Sequence, residues 1–89
     1  MDPQQTFRYL VLVMRTPAFD PAQIDAHGRF LAGLRTLGRI ELQGPFSDRS
    51  GGAYLLRADS LAEALGIAAR DPLVVSGSSR AQVYEWSAT

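Results

Sequence analysis

The sequence contains a single histidine, His27, and an aspartate, Asp71, that stands directly before a proline. Histidine is the side-chain type that gains and loses a proton near neutral pH, which suits it to acid and base catalysis. A carboxylate bonded to one imidazole nitrogen fixes the tautomer and raises the basicity of the other nitrogen. If the fold brings these side chains together, they form a dyad that moves protons on a small substrate.

Both residues also have a purely structural interpretation. His27 falls within an apolar helical stripe, so a core histidine whose ring bonds to a backbone carbonyl is an alternative. Asp71 precedes Pro72, and Asp-Pro pairs are common in turns, so an ordinary loop carboxylate is the alternative there. The sequence pattern leaves both pairs of interpretations open.

A second group of candidates concerns the wall of a binding pocket. Gly44, Pro45 and Phe46 follow a short predicted strand, where they either form only a turn or line a pocket with Phe46 as an aromatic lid. The serine-rich stretch 76–79 lacks a nucleophile-elbow motif and is interpreted as a solvated loop. An arginine that points into a cavity can bind the carboxylate of a ligand, whereas an arginine at the surface contributes to solubility. The candidates are Arg15, Arg49 and Arg57.

Composition excludes several function classes. Nine basic residues, all arginine, balance nine acidic ones, so no electrostatic footprint indicates a nucleic-acid partner and no lysine is present for Schiff-base chemistry. The chain has no cysteine and one histidine, which argues against thiolate and multi-histidine metal sites. No glycine-rich phosphate motif opens a helix. We therefore expect no metal and no cofactor.

The 89 residues predict one domain, spanning 1–89, with a polar lead-in over residues 1–6. No apolar run approaches the roughly 20 residues that cross a bilayer. The first residues lack the basic-then-apolar layout of a signal peptide. We expect a cytoplasmic protein with no membrane partner, whose small core favours oligomerisation in the absence of disulfides.

The elements that must position the candidate residues follow the order βαββαβ. Within them, alternation predicts that Ile40 and Leu42 share one strand face, and helical periodicity assigns Leu61, Leu65 and Ala68 to one apolar helix face. A further helical turn is predicted over residues 73–76. The predicted strands and helices are a strand over 7–14, a helix over 21–37, strands over 39–43 and 53–57, a helix over 61–70, and a strand over 80–86.

This order predicts an α+β, ferredoxin-like fold: a four-stranded antiparallel sheet with two helices on one face. The other sheet face is left bare, although the first strand is apolar on both sides and Tyr84 and Trp86 add aromatic area. An exposed apolar sheet favours a partner sheet packed against it. The pattern therefore predicts a two-fold homodimer through the open sheet face.

The ordered set of motifs resembles the YCII-related, or YciI-like, family over nearly the whole chain. The set comprises His27, residues 37–46 (LGRIELQGPF), Gly51-Gly52, residues 59–72 (DSLAEALGIAARDP) and residues 83–86 (VYEW). The resemblance implies ferredoxin-fold chains that pair into a dimeric α/β barrel.

The same resemblance implies a functional pair of His27 and Asp71 in a cleft between helices and sheet, with Gly44 and Pro45 matching the family's Gly-Pro. A related family member acts as a dehydrochlorinase on a chlorinated hydroxyquinol, which implies proton transfer on a ring compound.

Three functional hypotheses follow. The first is a small cofactor-independent enzyme, of lyase, isomerase or dehydrochlorinase type, that uses the His27–Asp71 pair on a small cyclic or aromatic metabolite. The second is a non-catalytic module that binds a small ligand or serves a neighbouring enzyme. The third is cofactor-free oxygenation, which no feature of the sequence demands.

Overall fold

A computed structural model of the protein describes residues 7–89, so the predicted lead-in over residues 1–6 lies outside it. A 3-10 turn over Pro21–Gln23 leads into the first α-helix. The helices and strands are β1 (Arg8–Arg15), α1 (Ile24–Thr36), β2 (Ile40–Pro45), β3 (Gly51–Leu56), α2 (Leu61–Ala68), α3 (Pro72–Val75) and β4 (Ser79–Trp86). All the predicted elements are present, and the predicted extra turn forms α3.

The four strands form one antiparallel sheet in the order β2-β3-β1-β4. The two βαβ halves therefore interleave, with β1 and β3 in the centre and the helices on one face, as in ferredoxin-like folds. The predicted α+β class is confirmed. The core lies between this face and the helices and consists of Tyr9, Val11, Val13, Leu31, Leu34, Ile40, Tyr54, Leu56, Ala64, Ile67, Ala68 and Leu73.

Strand β1 divides its side chains between the two sheet faces. Tyr9, Val11 and Val13 are buried beneath the helices, as the alternation of a strand requires. The intervening Leu10 and Leu12 lie on the open face, where they are only half-buried. The open face is thus apolar at its centre, as the sequence predicts.

The prediction that Ile40 and Leu42 share a face is wrong. Ile40 pairs with Leu56 and is 7% exposed, whereas Leu42 pairs with Leu55 and is 69% exposed. A β-bulge at Glu41 inserts one extra residue between them, and one extra residue reverses the alternation of every later side chain. The bulge consequently turns the end of β2 so that its odd-numbered side chains face the helices.

The predicted apolar face of α2 is also partly wrong. Ala68 is buried as predicted, together with Ala64 and Ile67. The other two predicted residues, Leu61 and Leu65, are exposed. At the start of the helix, Ser60 accepts the Glu63 N–H and the Glu63 carboxylate pairs with Arg39. The side of α2 that faces the sheet thus carries two alanines, whose small side chains let the backbone approach the sheet.

Gly52 provides a stability test of the β2–β3 hairpin. A Cβ at this position would lie 2.7 Å from the Gly44 carbonyl oxygen and 3.2 Å from the Pro45 Cα, both rigid backbone atoms. We expect Gly52→Ala to lower the free energy of unfolding by about 1–3 kcal/mol, the usual cost of overpacking. Urea denaturation measures this change.

Gly33→Ala is the matched control, since a Cβ there meets nothing within 4 Å and the residue lies inside α1. This change should raise the free energy of unfolding by roughly 0.5–1 kcal/mol. Equal effects of the two alanines would contradict the packing described for the hairpin.

Candidate active site

Helix α1 places His27 against the sheet. The Asp20 side chain caps the preceding 3-10 turn by accepting the Ala22 N–H, with Pro21 in the first helical position. His27 lies four residues before the buried Leu31, so both side chains occupy the same helix face. The predicted placement of His27 within the apolar stripe is confirmed, and its side chain remains 21% exposed.

Asp71 is held by the start of α3. Its side chain is fully buried, and Oδ1 accepts the backbone N–H of Leu73 at 2.9 Å. Pro72 occupies the first helical position, where the backbone N–H that proline lacks would have no partner within the helix. The Asp-Pro pair is therefore a helix cap as well as a break after α2, and the cap fixes the direction of the carboxylate.

The two candidate residues are in contact. The Nδ1 atom of His27 lies 2.8 Å from Oδ2 and 2.9 Å from Oδ1 of Asp71, across 44 residues of sequence. An ionised carboxylate only accepts hydrogen bonds, so Nδ1 carries the proton and donates it. In the neutral ring Nε2 then has a free lone pair, and no residue from 7 to 89 bonds to it. The predicted proximity of the pair is confirmed, and its catalytic role stays a prediction.

A cavity of about 280 Å³ lies beside the pair, between α1 and the ends of β2 and β3. His27 and Gly28 line it from the helix side, and the predicted residues Gly44 and Pro45 line it from the sheet. Pro45 faces the helices because the bulge in β2 reversed the strand's alternation. The position predicted for the Gly-Pro pair thus agrees with the structure.

Phe46 does not line this cavity, so its predicted place as an aromatic lid is not what the structure shows. Phe46 lies just beyond the end of β2, and its N–H donates to the Gly51 carbonyl to close the hairpin turn. The phenylalanine that lines the cavity is instead Phe19, from the loop before α1. No local pattern distinguishes these two phenylalanines, since the bulge and a long loop decide which one reaches the site.

The predicted solvated loop over residues 76–79 is correct for its first half only, since Ser76 and Gly77 are exposed and the last two serines are buried. Ser78 and Ser79 are 1% and 3% exposed, and the Ser78 Oγ accepts the Asp20 N–H. The Thr16 hydroxyl donates to the Gly77 carbonyl at 2.7 Å. These bonds tie the loop before α1 to the loop before β4, because small polar side chains satisfy backbone groups where two loops cross.

Tyr54 is a lining residue that sequence reasoning missed. It is 2% exposed, and among the described residues its hydroxyl has no hydrogen-bond partner. Burial, and after it the negative charge of Asp71, raises the pKa of the Tyr54 phenol above its usual range, so the group stays neutral. The strand alternation of Tyr54 with Leu56 would have indicated burial but not proximity to Asp71.

Two features are absent from residues 7–89. No three side chains of His, Cys, Asp or Glu converge there in a way that could hold a metal ion. None of the helices in this part of the chain combines the length and apolar character that crossing a membrane requires.

Asp71→Asn tests whether the carboxylate controls the histidine. The amide keeps the size of the side chain and an acceptor for the Leu73 N–H, but it loses the negative charge and offers a competing N–H donor. We expect the neutral imidazole to shift from the Nδ1–H tautomer to a mixture. Long-range ¹H–¹⁵N spectra measure this ratio without ambiguity, because the chain has one histidine.

Asp25→Asn is the control, since Asp25 is an exposed carboxylate in the first turn of the same helix. It should leave the tautomer unchanged. An unaltered tautomer in Asp71→Asn would show that the carboxylate does not set the state of the ring.

Comparison with known proteins gives this fold and site a context. The uncharacterized protein YjpA of Bacillus subtilis (strain 168) is 48% identical over 80 residues, covering 90% of this chain and 94% of YjpA. Among solved structures, the 5-chloro-2-hydroxyhydroquinone dehydrochlorinase TftG from Burkholderia phenoliruptrix AC1100, in complex with 2,5-dihydroxybenzoquinone, has a TM-score of 0.72 and 22% identity. That similarity covers 92% of this chain and 95% of TftG, and at such low identity it shows a shared fold. The YCII-related domain matches residues 7–87, so the resemblance found from the motifs is confirmed and the chain belongs to the YCII-related family.

Proposed function

We propose that this protein is a small enzyme of lyase or isomerase type that acts on a small cyclic or aromatic compound. His27 acts as the general acid and base, and Asp71 orients the imidazole and raises the basicity of its Nε2. One observation carries the proposal: a buried carboxylate holds Nδ1 of an imidazole that lines a cavity, while Nε2 has no protein partner among the described residues. Such an arrangement leaves one nitrogen basic and free to exchange a proton.

Proton transfer alone accounts for the chemistry. Nε2 takes a proton from a ring hydroxyl or from a carbon next to a carbonyl, and the released electron pair forms a new π bond. In an elimination from an aromatic ring, the proton is first returned to the carbon that bears the leaving group; loss of a second ring hydroxyl proton then forms a new π bond and expels the leaving group with its bonding pair. In an isomerisation, the proton returns to a different carbon. Asp71 stabilises the imidazolium formed in between, and the proposed reaction needs no cofactor.

The size of the cavity supports a single-ring substrate. A protein cavity of roughly 150 Å³ accepts benzene, so about 280 Å³ accommodates one ring with several substituents. The solved relative of similar fold is a dehydrochlorinase of a chlorinated hydroxyhydroquinone. We extend that chemistry to this chain as the first reaction to test, in which the ring loses one proton and one chloride.

His27→Gln tests the assignment directly. The amide fills similar space and still donates to Asp71, but it cannot accept and release a proton near neutral pH. With 5-chloro-2-hydroxyhydroquinone as the probe, chloride release should fall by 10²- to 10⁴-fold, the usual contribution of a general acid or base. Proton exchange of cyclohexane-1,3-dione in D₂O is a second readout that needs no leaving group.

Arg29→Gln, at an exposed position of the same helix, should keep full activity. Undiminished turnover in His27→Gln would remove His27 from the mechanism. Ring compounds that bind without chloride release or proton exchange would instead identify a non-catalytic ligand-binding module.

We further propose that a second copy of this chain covers the open sheet face. Tyr84 and Trp86 are about half exposed there, 51% and 49%, beside the leucines of β1. Glu41 pairs with Arg8 and Arg57 at the edge of the same face. A stable interface usually has an apolar centre and a polar edge. In a two-fold dimer, this face would pack against the same face of the second copy.

Leu10→Glu tests the dimer. Leu10 lies between Leu55 and Tyr84 at the centre of the open face, so a charge there would be buried without a partner on association. An uncompensated buried charge costs about 3–5 kcal/mol, which corresponds to a dissociation constant weakened more than about 100-fold. Sedimentation velocity across a dilution series measures this shift.

Leu37→Glu is the control, because Leu37 directly follows α1 and is already 72% exposed. It should leave the association state unchanged. A wild-type chain that sediments as a monomer at high concentration would overturn the proposed dimer.

A further inference from the structure

Among residues 7–89, the lining of the cavity beside His27 carries one permanent charge, and that charge is positive. Arg15 belongs to the lining, whereas no aspartate or glutamate of these residues does. Within residues 7–89, the salt bridges join other groups, and Arg15 pairs with no carboxylate. The remaining polar side chains of the lining are uncharged or, like His27, neutral in the basic form. A ligand that enters this cavity therefore meets an unneutralised cation.

The strand pattern explains why a cation lies there. Tyr9, Val11 and Val13 form the buried row of β1, and Arg15 is the next residue of that row, at the last position of the strand. Its side chain leaves the core on the helix side of the sheet, where the cavity opens. The guanidinium thus stands at the cavity mouth on a rigid central strand.

Phe19 holds the guanidinium in place. The Arg15 Cζ lies 4.1 Å from the centroid of the Phe19 ring, within the range of a cation–π interaction. The loop that carries Phe19 is itself fixed, since the Phe19 N–H donates to the Thr16 carbonyl and the Thr16 hydroxyl donates to the Gly77 carbonyl. A stacked guanidinium loses less freedom on binding, because the ring already restricts its orientation.

The guanidinium and the imidazole can interact with one ligand in two different ways. A guanidinium presents a planar fork of N–H donors that matches the two oxygens of a carboxylate or of a delocalised ring enolate. His27 offers a proton acceptor from the helix side of the same cavity. A ring that is neutral would leave the Arg15 charge partly desolvated without a partner, which lowers its affinity.

We propose that Arg15 is the specificity-determining residue of this cavity and that it selects anionic rings: single cyclic or aromatic compounds whose carboxylate or acidic ring hydroxyl is ionised at neutral pH. This inference deepens the proposed function, since it names the substrate class for the His27 site. It concerns binding, so it is testable without any turnover.

The experiment compares anionic rings with neutral rings of matched size. The anionic probes are benzoate and 2,5-dihydroxybenzoquinone, and the neutral probes are benzamide and hydroquinone. Titrations followed by NMR at His27 and Phe19 give a dissociation constant for each. We expect at least one anion to bind the wild-type chain tenfold or more tightly than its neutral partner, with an advantage that falls as NaCl is raised.

Arg15→Gln should abolish that advantage by weakening the binding of the anions, while the neutral rings bind at least as tightly as they bind the wild-type chain. Arg80→Gln, which removes an exposed arginine of β4 outside the cavity lining, should keep it. Anions that bind the wild type no better than neutral rings, including no binding of either, would overturn the inference. An anion preference that survives in Arg15→Gln would overturn it equally.

His27→Gln separates this inference from the proposed function. That variant keeps Arg15 and Phe19, so it should lose turnover and retain the preference for anions. Loss of the preference in His27→Gln but not in Arg15→Gln would assign the selectivity to the imidazole and contradict the role of Arg15.

Discussion

A fully buried carboxylate is the constraint on which the rest of this structure depends. An isolated charge in a protein interior costs several kcal/mol, so Asp71 must find donors within the fold. The Leu73 N–H supplies one donor locally, and His27 supplies the other from a different helix. The pair therefore links α1 to α3 and holds an imidazole at the cavity. Its Nδ1 is bonded to the carboxylate, and its Nε2 has no partner among residues 7–89.

The cavity exists because the sheet end beneath α1 is built from small residues and a bulge. The extra residue at Glu41 reverses β2, so that Pro45 rather than Phe46 faces the helices. Gly52 lies opposite Pro45, at a distance that leaves no room for a side chain. A regular strand with ordinary residues would fill this space, and the imidazole would then be an enclosed core histidine. Backbone irregularity here produces the volume that a ligand needs.

The two sheet faces have separate physical characters. The helix face combines a close-packed core with a small polar site, whose permanent positive charge, Arg15, continues the buried row of β1 to the cavity mouth. The open face is apolar at its centre and polar at the edge that carries Glu41. One strand, β1, supplies side chains to both faces, which explains why it is apolar on both alternate sets although only one set is buried within the chain.

Local patterns determined much of this protein from sequence alone: the order of the elements, the ferredoxin-like class and the helix face that carries His27. These depend on periodicity and on neighbouring backbone groups, which a short stretch of sequence encodes. The order of the motifs also identified the family and indicated that Asp71 is the partner of His27. Only the tertiary structure decided the bulge at Glu41, the rotation of α2, the burial of the loop serines and the choice of Phe19 over Phe46. Each of these depends on packing between segments distant in sequence, where the free energy of the whole arrangement outweighs any local preference.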